Sequence, residues 1–342
     1  MTIINKSTLK GYFNYLDQPS EANFADWIET MNPREYRTVG PAGSDADYIC
    51  DSINDEVQIQ EAIDAVAALP EVNYIKKPNG DVYSGIANSA KVILLRGAYG
   101  IYDTINLKSH VELVITENAA LYPMVDVNII NMKTTSRISG GGLITTAAFD
   151  NYSSSVIFIN GQEHIYQLNK MFIRDLYLQG CPQKTGTAIN FYAIHPSDMG
   201  YICNVEVSGI IITNFQYGIK IEQDGNCWIG CNTFSNILMY ATAQAIYINN
   251  TADWWGPYNN MFSHITIQQG GTSGGPSTNG IYCNGWQNYF EPIMIWDTDI
   301  AEGGIAVEFM DREKCMGNHI EGRLEEPIIN PSDRNFVTNY GG

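Results

Sequence analysis

Carboxylate and aromatic side chains recur at one position of successive repeats in the C-terminal half of the chain. Sugar rings present apolar C–H faces that pack on indole, and carboxylates accept hydrogen bonds from sugar hydroxyl groups, so this mixture suits a glycan. Alternatively, these aromatic residues cover the protein surface or a subunit contact. Trp254 and Trp255 are adjacent, so on an extended segment their side chains point in opposite directions and at least one packs against the protein. The predicted carbohydrate-binding residues are Trp228, Trp254, Trp255, Tyr258 and Trp286.

Two pairs of carboxylates are candidates for catalysis. Hydrolysis of a glycosidic bond uses two carboxyl groups about 5 Å apart for retention, or about 6.5–9.5 Å apart for inversion. Asp224 and Asp253 form the first pair, with Glu222 as a neighbour. Asp297 and Asp299 form a rival pair, two residues apart and so on one face of a strand, at roughly 7 Å. The alternative for each is a solvated loop charge.

A lyase would instead need an arginine or lysine base close to carboxylates that bind Ca²⁺. Arg312 and Arg323 each lie near acidic residues, although charge-paired surface arginines explain the same pattern. The chain has no nucleophile elbow, glycine-rich phosphate loop or metal-ligand spacing. We therefore predict no cofactor and no metal, apart from Ca²⁺ if the protein is a lyase, and an enzyme of this kind is expected to be a glycosidase rather than a lyase.

The repeat that positions these residues is marked by an asparagine at the start of a short phrase. Asn232, Asn260, Asn288 and Asn318 are separated by 28, 28 and 30 residues. A repeat of this length cannot bury its own apolar face, so the copies must stack on one another. Within each phrase apolar residues alternate, which is the period of a strand with one face inward.

A second alternating apolar pair follows in each repeat, so each repeat has at least two short strands. These strands have no hairpin partner at two-residue spacing and must pair in parallel with equivalents one repeat away. The product is a parallel β-helix of about eight or nine coils between Lys91 and Ile329, each rising ~4.8 Å. The repeated asparagines then fall at matching turns, where their amides can form a hydrogen-bonded ladder.

Two amphipathic helices are predicted before the repeats. Ser20 is the candidate N-cap of the first, which ends before Pro33, and its apolar stripe must dock on the rod or on another subunit. The second helix spans residues 54–69 and is predicted to cover the open strand edges of the first coil. A polar loop from Asn73 to Asn88 then leads to the first core strand, Val92–Leu95.

The formal net charge of −18 argues against nucleic acid and anionic membranes as partners. It favours a neutral glycan, or an acidic one bridged by calcium. The chain has no 18-residue apolar run and no signal peptide, so we expect synthesis in a cytosol and no membrane insertion. Cys203 and Cys231 lie one repeat apart and are expected to be buried free thiols, rather than a disulfide or metal site.

Three segments at the start of the repeats resemble the entry segment of pectate-lyase-like right-handed β-helix proteins: Asp45–Asp51, Asn54–Asp64 and Lys91–Gly100. That superfamily includes polysaccharide lyases, glycosidases and bacteriophage tail spikes. The resemblance extends from residue 45 to about residue 329 and implies the fold more than the activity. A further segment, Ser7–Thr30, is similar to a short element of phage tail and fibre proteins and implies a virion protein.

Together these features predict an all-β protein, a right-handed single-stranded parallel β-helix with short N-terminal helices. Residues 1–44 are assigned to a helical attachment segment and residues 45–342 to the β-helix domain. The expected function is that of a virion tail-spike or receptor-binding protein that binds host surface polysaccharide, with or without degrading it. The alternatives are a polysaccharide-cleaving enzyme not tied to a virion, and a purely structural tail or capsid appendage. The resemblance also implies a homotrimer, attachment to virion tail proteins through the N-terminal segment, and a location in the virion tail.

Overall fold

The computed structural model describes residues 36–68, 90–163, 165–194, 200–224, 227–251, 256–268, 279–296, 305–310, 315–324, 327–331 and 334–340. In these ranges the chain forms one α-helix, a short 3-10 helix (Gly161–Glu163) and two parallel β-sheets. The predicted helix at Ser20 and the predicted loop at 73–88 lie outside the described residues.

The two sheets contain sixteen and nine strands in these ranges. The larger sheet consists of β1 (Tyr36–Pro41), β2 (Tyr48–Cys50), β3 (Ala90–Leu94), β4 (Gly97–Ile101), β6 (Val111–Ile115), β7 (Ala119–Pro123), β9 (Arg137–Gly140), β10 (Leu143–Thr145), β12 (Ile165–Gln179), β14 (Tyr201–Thr213), β16 (Trp228–Gly230), β17 (Thr233–Tyr240), β19 (Met261–Gln268), β21 (Tyr289–Trp296), β23 (His319–Arg323) and β25 (Phe336–Asn339). The smaller sheet consists of β5 (Ile105–Asn106), β8 (Ile130–Met132), β11 (Ser155–Asn160), β13 (Thr187–Ala193), β15 (Tyr217–Gln223), β18 (Gln244–Asn250), β20 (Asn279–Cys283), β22 (Val307–Phe309) and β24 (Ile328–Ile329).

Each repeat strand pairs in parallel with the equivalent strand of the neighbouring coil. In the larger sheet Ile237 of β17 pairs with Ile210 of β14 and with Ile265 of β19. In the smaller sheet Ile246 of β18 pairs with Ile281 of β20. The chain is therefore a right-handed parallel β-helix, as predicted, and the nine strands of the smaller sheet agree with the expected eight or nine coils.

The core consists of side chains that repeat from coil to coil and pack on their own equivalents. Phe234, Phe262 and Phe290 are fully buried, with successive ring centroids 4.4 and 4.7 Å apart and nearly parallel planes. The predicted apolar pairs of the second strand, such as Ile219 with Ile221, are also fully buried. Successive side chains along each strand thus point alternately into the apolar interior and out to the surface, where the residue type is less restricted.

The predicted asparagine ladder is present and fully buried. The Asn232 amide donates to Asn260 Oδ1 at 3.0 Å, Asn260 donates to Asn288 at 2.9 Å, and Asn288 donates to Asn318 at 3.1 Å. Asn318 in turn donates to Asn335 Oδ1 at 2.9 Å, a rung that the regular spacing did not reveal. Each acceptor oxygen also receives a backbone N–H, so the ladder satisfies polar groups that the interior would otherwise leave unpaired.

The helix α1 (Asp55–Ala67) packs against the first strands, as predicted for the capping helix. Ile59, Ile63 and other apolar residues of its inner face join the core cluster. Its first turn also bonds to the coil, because Asp55 Oδ2 accepts the Gly100 N–H at 2.8 Å and Glu56 Oε2 accepts the Tyr102 N–H at 3.0 Å. Two carboxylates thus fix the cap to strand backbone.

The β-helix begins earlier than residue 45. Strand β1 pairs with β3 and lengthens the larger sheet, although residues up to 44 were assigned to the attachment segment. The reason is that Val39 is inward-facing and fully buried, so this stretch contributes to the core. Residues 1–35 of the predicted attachment segment lie outside the described residues. In the described ranges no helix has the length and apolar character needed to cross a bilayer.

None of the seven cysteines forms a disulfide. Cys203 is buried as expected, and burial raises its pKa to about 11. The expectation for Cys231 is wrong, because this residue is exposed. It has a positive φ of 57° at the turn that precedes β17, and this turn directs the side chain away from the core.

Candidate functional site

Four aromatic side chains form a column along the outside of the rod, at the turn between the smaller sheet and the asparagine ladder. We define the aromatic column as Tyr201, Trp228, Tyr258 and Trp286. Successive ring centroids are 5.9, 6.1 and 6.2 Å apart. The rings lie on successive coils, and 45 % of Trp228 is exposed to solvent. An extended chain lying parallel to the rod would therefore meet one ring per coil.

The strand register explains how residues at unequal sequence spacing come together. Tyr201 pairs with Trp228, whereas Tyr258 pairs with Trp286 and with Gly230, two residues beyond Trp228 on the same outward side. A Cβ atom on Gly230 would lie 2.8 Å from Cε1 of the Tyr258 ring. The missing side chain at residue 230 therefore gives Tyr258 the space to lie against Trp228 and keep the column continuous.

A polar row lies on the outer face of the smaller sheet, on the strand that precedes Trp228 of the aromatic column in the chain. Along β15 and just beyond it, Lys220, Glu222 and Asp224 alternate with buried residues and so share the outward side. Lys220 Nζ lies 2.8 Å from Glu222 Oε2 and 4.8 Å from the centroid of the Tyr217 ring. Tyr192 of the neighbouring coil is in register with Glu222. This row offers both hydrogen-bond donors and acceptors to a polar ligand.

A stack of tyrosines occupies the same outer face. The rings of Tyr217 and Tyr247 have centroids 5.0 Å apart, and those of Tyr247 and Tyr282 are 4.9 Å apart. Burial raises the pKa of Tyr247 to about 12, with further contributions from Tyr282, Tyr217 and Glu222. This hydroxyl group therefore remains protonated at neutral pH and can donate a hydrogen bond.

The structure brings together three of the five predicted carbohydrate-binding residues, Trp228, Tyr258 and Trp286. The other two, Trp254 and Trp255, lie outside the described residues. Sequence reasoning missed Lys220 and the tyrosine stack. The sequence could have revealed all of them except Tyr217. Each of the others lies between two buried apolar residues of the second strand, so its side chain must point outward.

Among the candidate catalytic residues, Glu222 and Asp224 lie in the polar row, but the surroundings of their carboxylates differ. Glu222 is ion-paired with Lys220, which favours a role in binding over that of a general acid. One oxygen of Asp224 is buried and accepts no hydrogen bond from the described residues. The remaining candidates, Asp253, Asp297 and Asp299, lie outside the described residues, so neither predicted carboxylate pair has a measured separation.

Comparison with known proteins finds similarity only among solved structures, since no family model and no curated protein matches the chain. The adhesin PfbA, a surface protein of Streptococcus pneumoniae, aligns at 11 % identity over 86 % of this chain and 87 % of its own, with a TM-score of 0.44. ORF18 of Geobacillus virus E2 aligns at 14 % identity over 91 % of this chain and 56 % of its own, with a TM-score of 0.42.

The A-module of the mannuronan C-5 epimerase AlgE6 of Azotobacter vinelandii aligns at 11 % identity over 84 % of this chain and 95 % of its own, with a TM-score of 0.40. At these identities and scores the comparison is one of fold and carries no information on activity. The register of the two sheets establishes the architecture independently: the chain is a right-handed parallel β-helix protein.

Proposed function

We propose that this protein binds a polysaccharide along the aromatic column and the adjacent outer face of the smaller sheet. The observation that carries the proposal is the continuous column of four rings on successive coils. Lys220, Glu222 and the tyrosine hydroxyl groups add polar groups on the outer face of the smaller sheet. Rings pack against the C–H faces of sugars, while the polar row can bond their hydroxyl groups. A glycan chain parallel to the rod engages several coils at once.

The charge of the molecule indicates which glycans fit. The chain carries a formal net charge of −18, and Lys220 is already paired with Glu222. A polyanionic chain would meet a repulsive field at low ionic strength. A neutral polysaccharide is therefore the favoured ligand, and an acidic one requires a bridging cation such as Ca²⁺.

Titration calorimetry with neutral and acidic bacterial surface polysaccharides and their oligosaccharides tests the proposal. Trp228→Ala is expected to weaken binding about 5- to 150-fold, because removal of a stacking surface costs about 1–3 kcal/mol. Tyr258→Ala should act in the same direction. Tyr102→Ala is the matched control, since its ring is 37 % exposed on the first coil, outside the column. Equal affinity of Trp228→Ala and the wild-type protein for every bound glycan would refute the assignment.

Cleavage of the bound glycan is a second candidate function, and the buried Asp224 oxygen that accepts no hydrogen bond from the described residues favours it. A carboxyl group within reach of a bound glycan can transfer a proton in the reaction. New reducing ends would report hydrolysis, and ultraviolet absorbance of an unsaturated sugar would report elimination. Asp224→Asn should abolish the product, whereas the accompanying loss of glycan affinity should be small. If the wild-type protein binds the glycan but forms no product, cleavage is refuted and the protein acts by binding alone, as an adhesin.

We further propose that the protein is a virion tail appendage, anchored through the N-terminal segment that precedes β1 and assembled as a homotrimer. The N-terminal similarity to phage tail elements supports the anchor. The outer face of the larger sheet supports self-association, because large apolar side chains are 38–52 % exposed there. They are Ile211, Leu238, Met261, Tyr289 and Met294. Light scattering of the full chain should give three times the monomer mass, and a monomeric mass would refute the trimer.

A further inference from the structure

A group of metal-ligating side chains lies on the outer face of the larger sheet. Glu291 belongs to β21, and His319 and Glu321 belong to the next coil in β23. Residues 289 and 319 are in register, so the three side chains project outward from adjacent strands. The rigid pairing of two coils therefore holds them together, although 28 residues separate Glu291 from His319 in the sequence.

The ligand atoms of this group converge. One ring nitrogen of His319 and one oxygen of each glutamate all lie within 4.8 Å of one another. His319 Nδ1 is 2.6 Å from Glu291 Oε1. Two ligands bonded to one ion at about 2.0–2.2 Å lie at most about 4.4 Å apart. Small rotations of the glutamate side chains therefore suffice to place all three donors on a common ion.

The two carboxylates of the group have few cationic neighbours. Within the described ranges no lysine or arginine forms an ion pair with Glu291 or Glu321, although Arg323 lies on the same face of β23 as Glu321. In the same ranges His319 is the only polar partner of the Glu291 side chain, and the Glu321 carboxylate accepts no hydrogen bond. Two neighbouring carboxylates repel each other, and a cation between them would remove that repulsion.

The donor set indicates which cation fits. Ca²⁺ and Mg²⁺ prefer sites made of oxygen ligands, whereas imidazole favours zinc and other transition metals. One imidazole with two carboxylates leaves a further coordination position for water. All three groups are partly accessible, so an ion can reach them from solvent.

We propose that Glu291, His319 and Glu321 bind a divalent transition metal ion, with Zn²⁺ as the reference ion. The ion connects β21 to β23, where the register of the larger sheet shifts between Phe290 and Ile293. It therefore fastens two consecutive coils near the C-terminal end of the described rod. This site is independent of the proposed glycan surface.

The test uses the full chain carrying Cys231→Ser, because the exposed thiol of Cys231 could bind Zn²⁺ itself. After treatment with a chelator and desalting, calorimetric titration with Zn²⁺ should give one ion per chain. Glu321→Gln should weaken binding roughly tenfold or more without altering the circular dichroism of the metal-free protein, since the described residues give the Glu321 carboxylate no bond to lose. His319→Gln should weaken it as well.

The matched control is Glu308→Gln, which makes the same charge change on the outer face of the smaller sheet. It should leave Zn²⁺ affinity unchanged. Zn²⁺ should also raise the midpoint of thermal unfolding of the Cys231→Ser protein, but not of its Glu321→Gln derivative. No Zn²⁺ binding at micromolar concentration, or equal affinity of the Glu321→Gln and Glu308→Gln proteins, would overturn the proposal. Unchanged affinity in His319→Gln would overturn the assignment of the imidazole.

Discussion

Replacing Asn288 by alanine removes the central rung of the asparagine ladder. Asn288 Oδ1 accepts both the Asn260 amide at 2.9 Å and the Asn260 backbone N–H at 3.2 Å. Its own amide donates to Pro257 O at 2.9 Å and to Asn318 Oδ1 at 3.1 Å. The side chain is fully buried. The substitution therefore breaks these four hydrogen bonds in the interior, together with a weak fifth one to Cys283 Sγ at 4.0 Å.

The expected loss follows from the groups that remain unpaired. Asn260 loses partners for its side-chain amide and its backbone N–H, whereas the Pro257 carbonyl still accepts the Trp286 N–H at 2.9 Å. Asn318 Oδ1 still accepts the backbone N–H of residue 288 at 2.9 Å. Each buried unsatisfied group costs about 1–3 kcal/mol, and a water molecule entering the vacated space recovers part of it. We expect Asn288→Ala to lower the free energy of unfolding by about 3–5 kcal/mol.

Urea unfolding followed by far-ultraviolet circular dichroism and by tryptophan fluorescence measures this change, provided that the two transitions coincide. The matched control is Asn106→Ala. Asn106 Oδ1 also accepts an asparagine amide of the next coil, from Asn131 at 3.2 Å, but this pair is exposed. Asn106→Ala should cost about 0.5 kcal/mol or less. Equal costs for the two substitutions would refute the argument that buried rungs hold the turns together.

Three further predictions concern the core, a thiol and a carboxylate. Phe262→Ala removes the middle ring of a fully buried stack and should cost about 3–5 kcal/mol in urea unfolding, whereas a loss below about 1 kcal/mol would contradict tight packing. Ellman's reagent should modify Cys231 rapidly in the native protein and spare Cys203, whose pKa burial raises to about 11, and Cys231→Ser should abolish the fast phase. Burial raises the pKa of Asp126, but hydrogen bonds from Ser153 and Ser154 outweigh this effect and lower the pKa overall. Asp126→Ala should therefore lower the free energy of unfolding at pH 7, and the difference from the wild-type protein should shrink as the pH falls below about 4. A difference that does not depend on pH would contradict this.

The fold could be predicted because the repeat constrains it strongly. Apolar residues alternate within strands that are too short to be stable alone. Equivalent residues of successive strands, such as Ile237 and Ile265, are separated by the length of one coil. The asparagines identify the turns. The rung at Asn335 escaped prediction because only 17 residues separate it from Asn318, so the last coil breaks the spacing. The strand Tyr36–Pro41 escaped because it precedes the recognisable repeats.

The site could be predicted only in part, for a geometric reason. Aligning the repeats identified Trp228, Tyr258 and Trp286 as neighbours. The alignment could not show that Tyr258 pairs with Gly230 and not with Trp228, two residues earlier. Nor could it show that the absence of a side chain at Gly230 leaves space for the ring of Tyr258. Convergence across coils is also invisible to local spacing, and for this reason no short motif in the chain reveals the group formed by Glu291, His319 and Glu321.

Because equivalent residues of successive coils contact one another in register, the rod can be lengthened or shortened by whole coils. Residues 233–260 and 261–288 are successive blocks of equal length that end in Asn260 and Asn288 and place Phe234, Phe262 and Phe290 one above another. Because a coil touches only its two neighbours, duplicating such a block would recreate every interface it needs. Gene duplication could thus extend the reach of the protein by about 4.8 Å per copy, without redesigning either end.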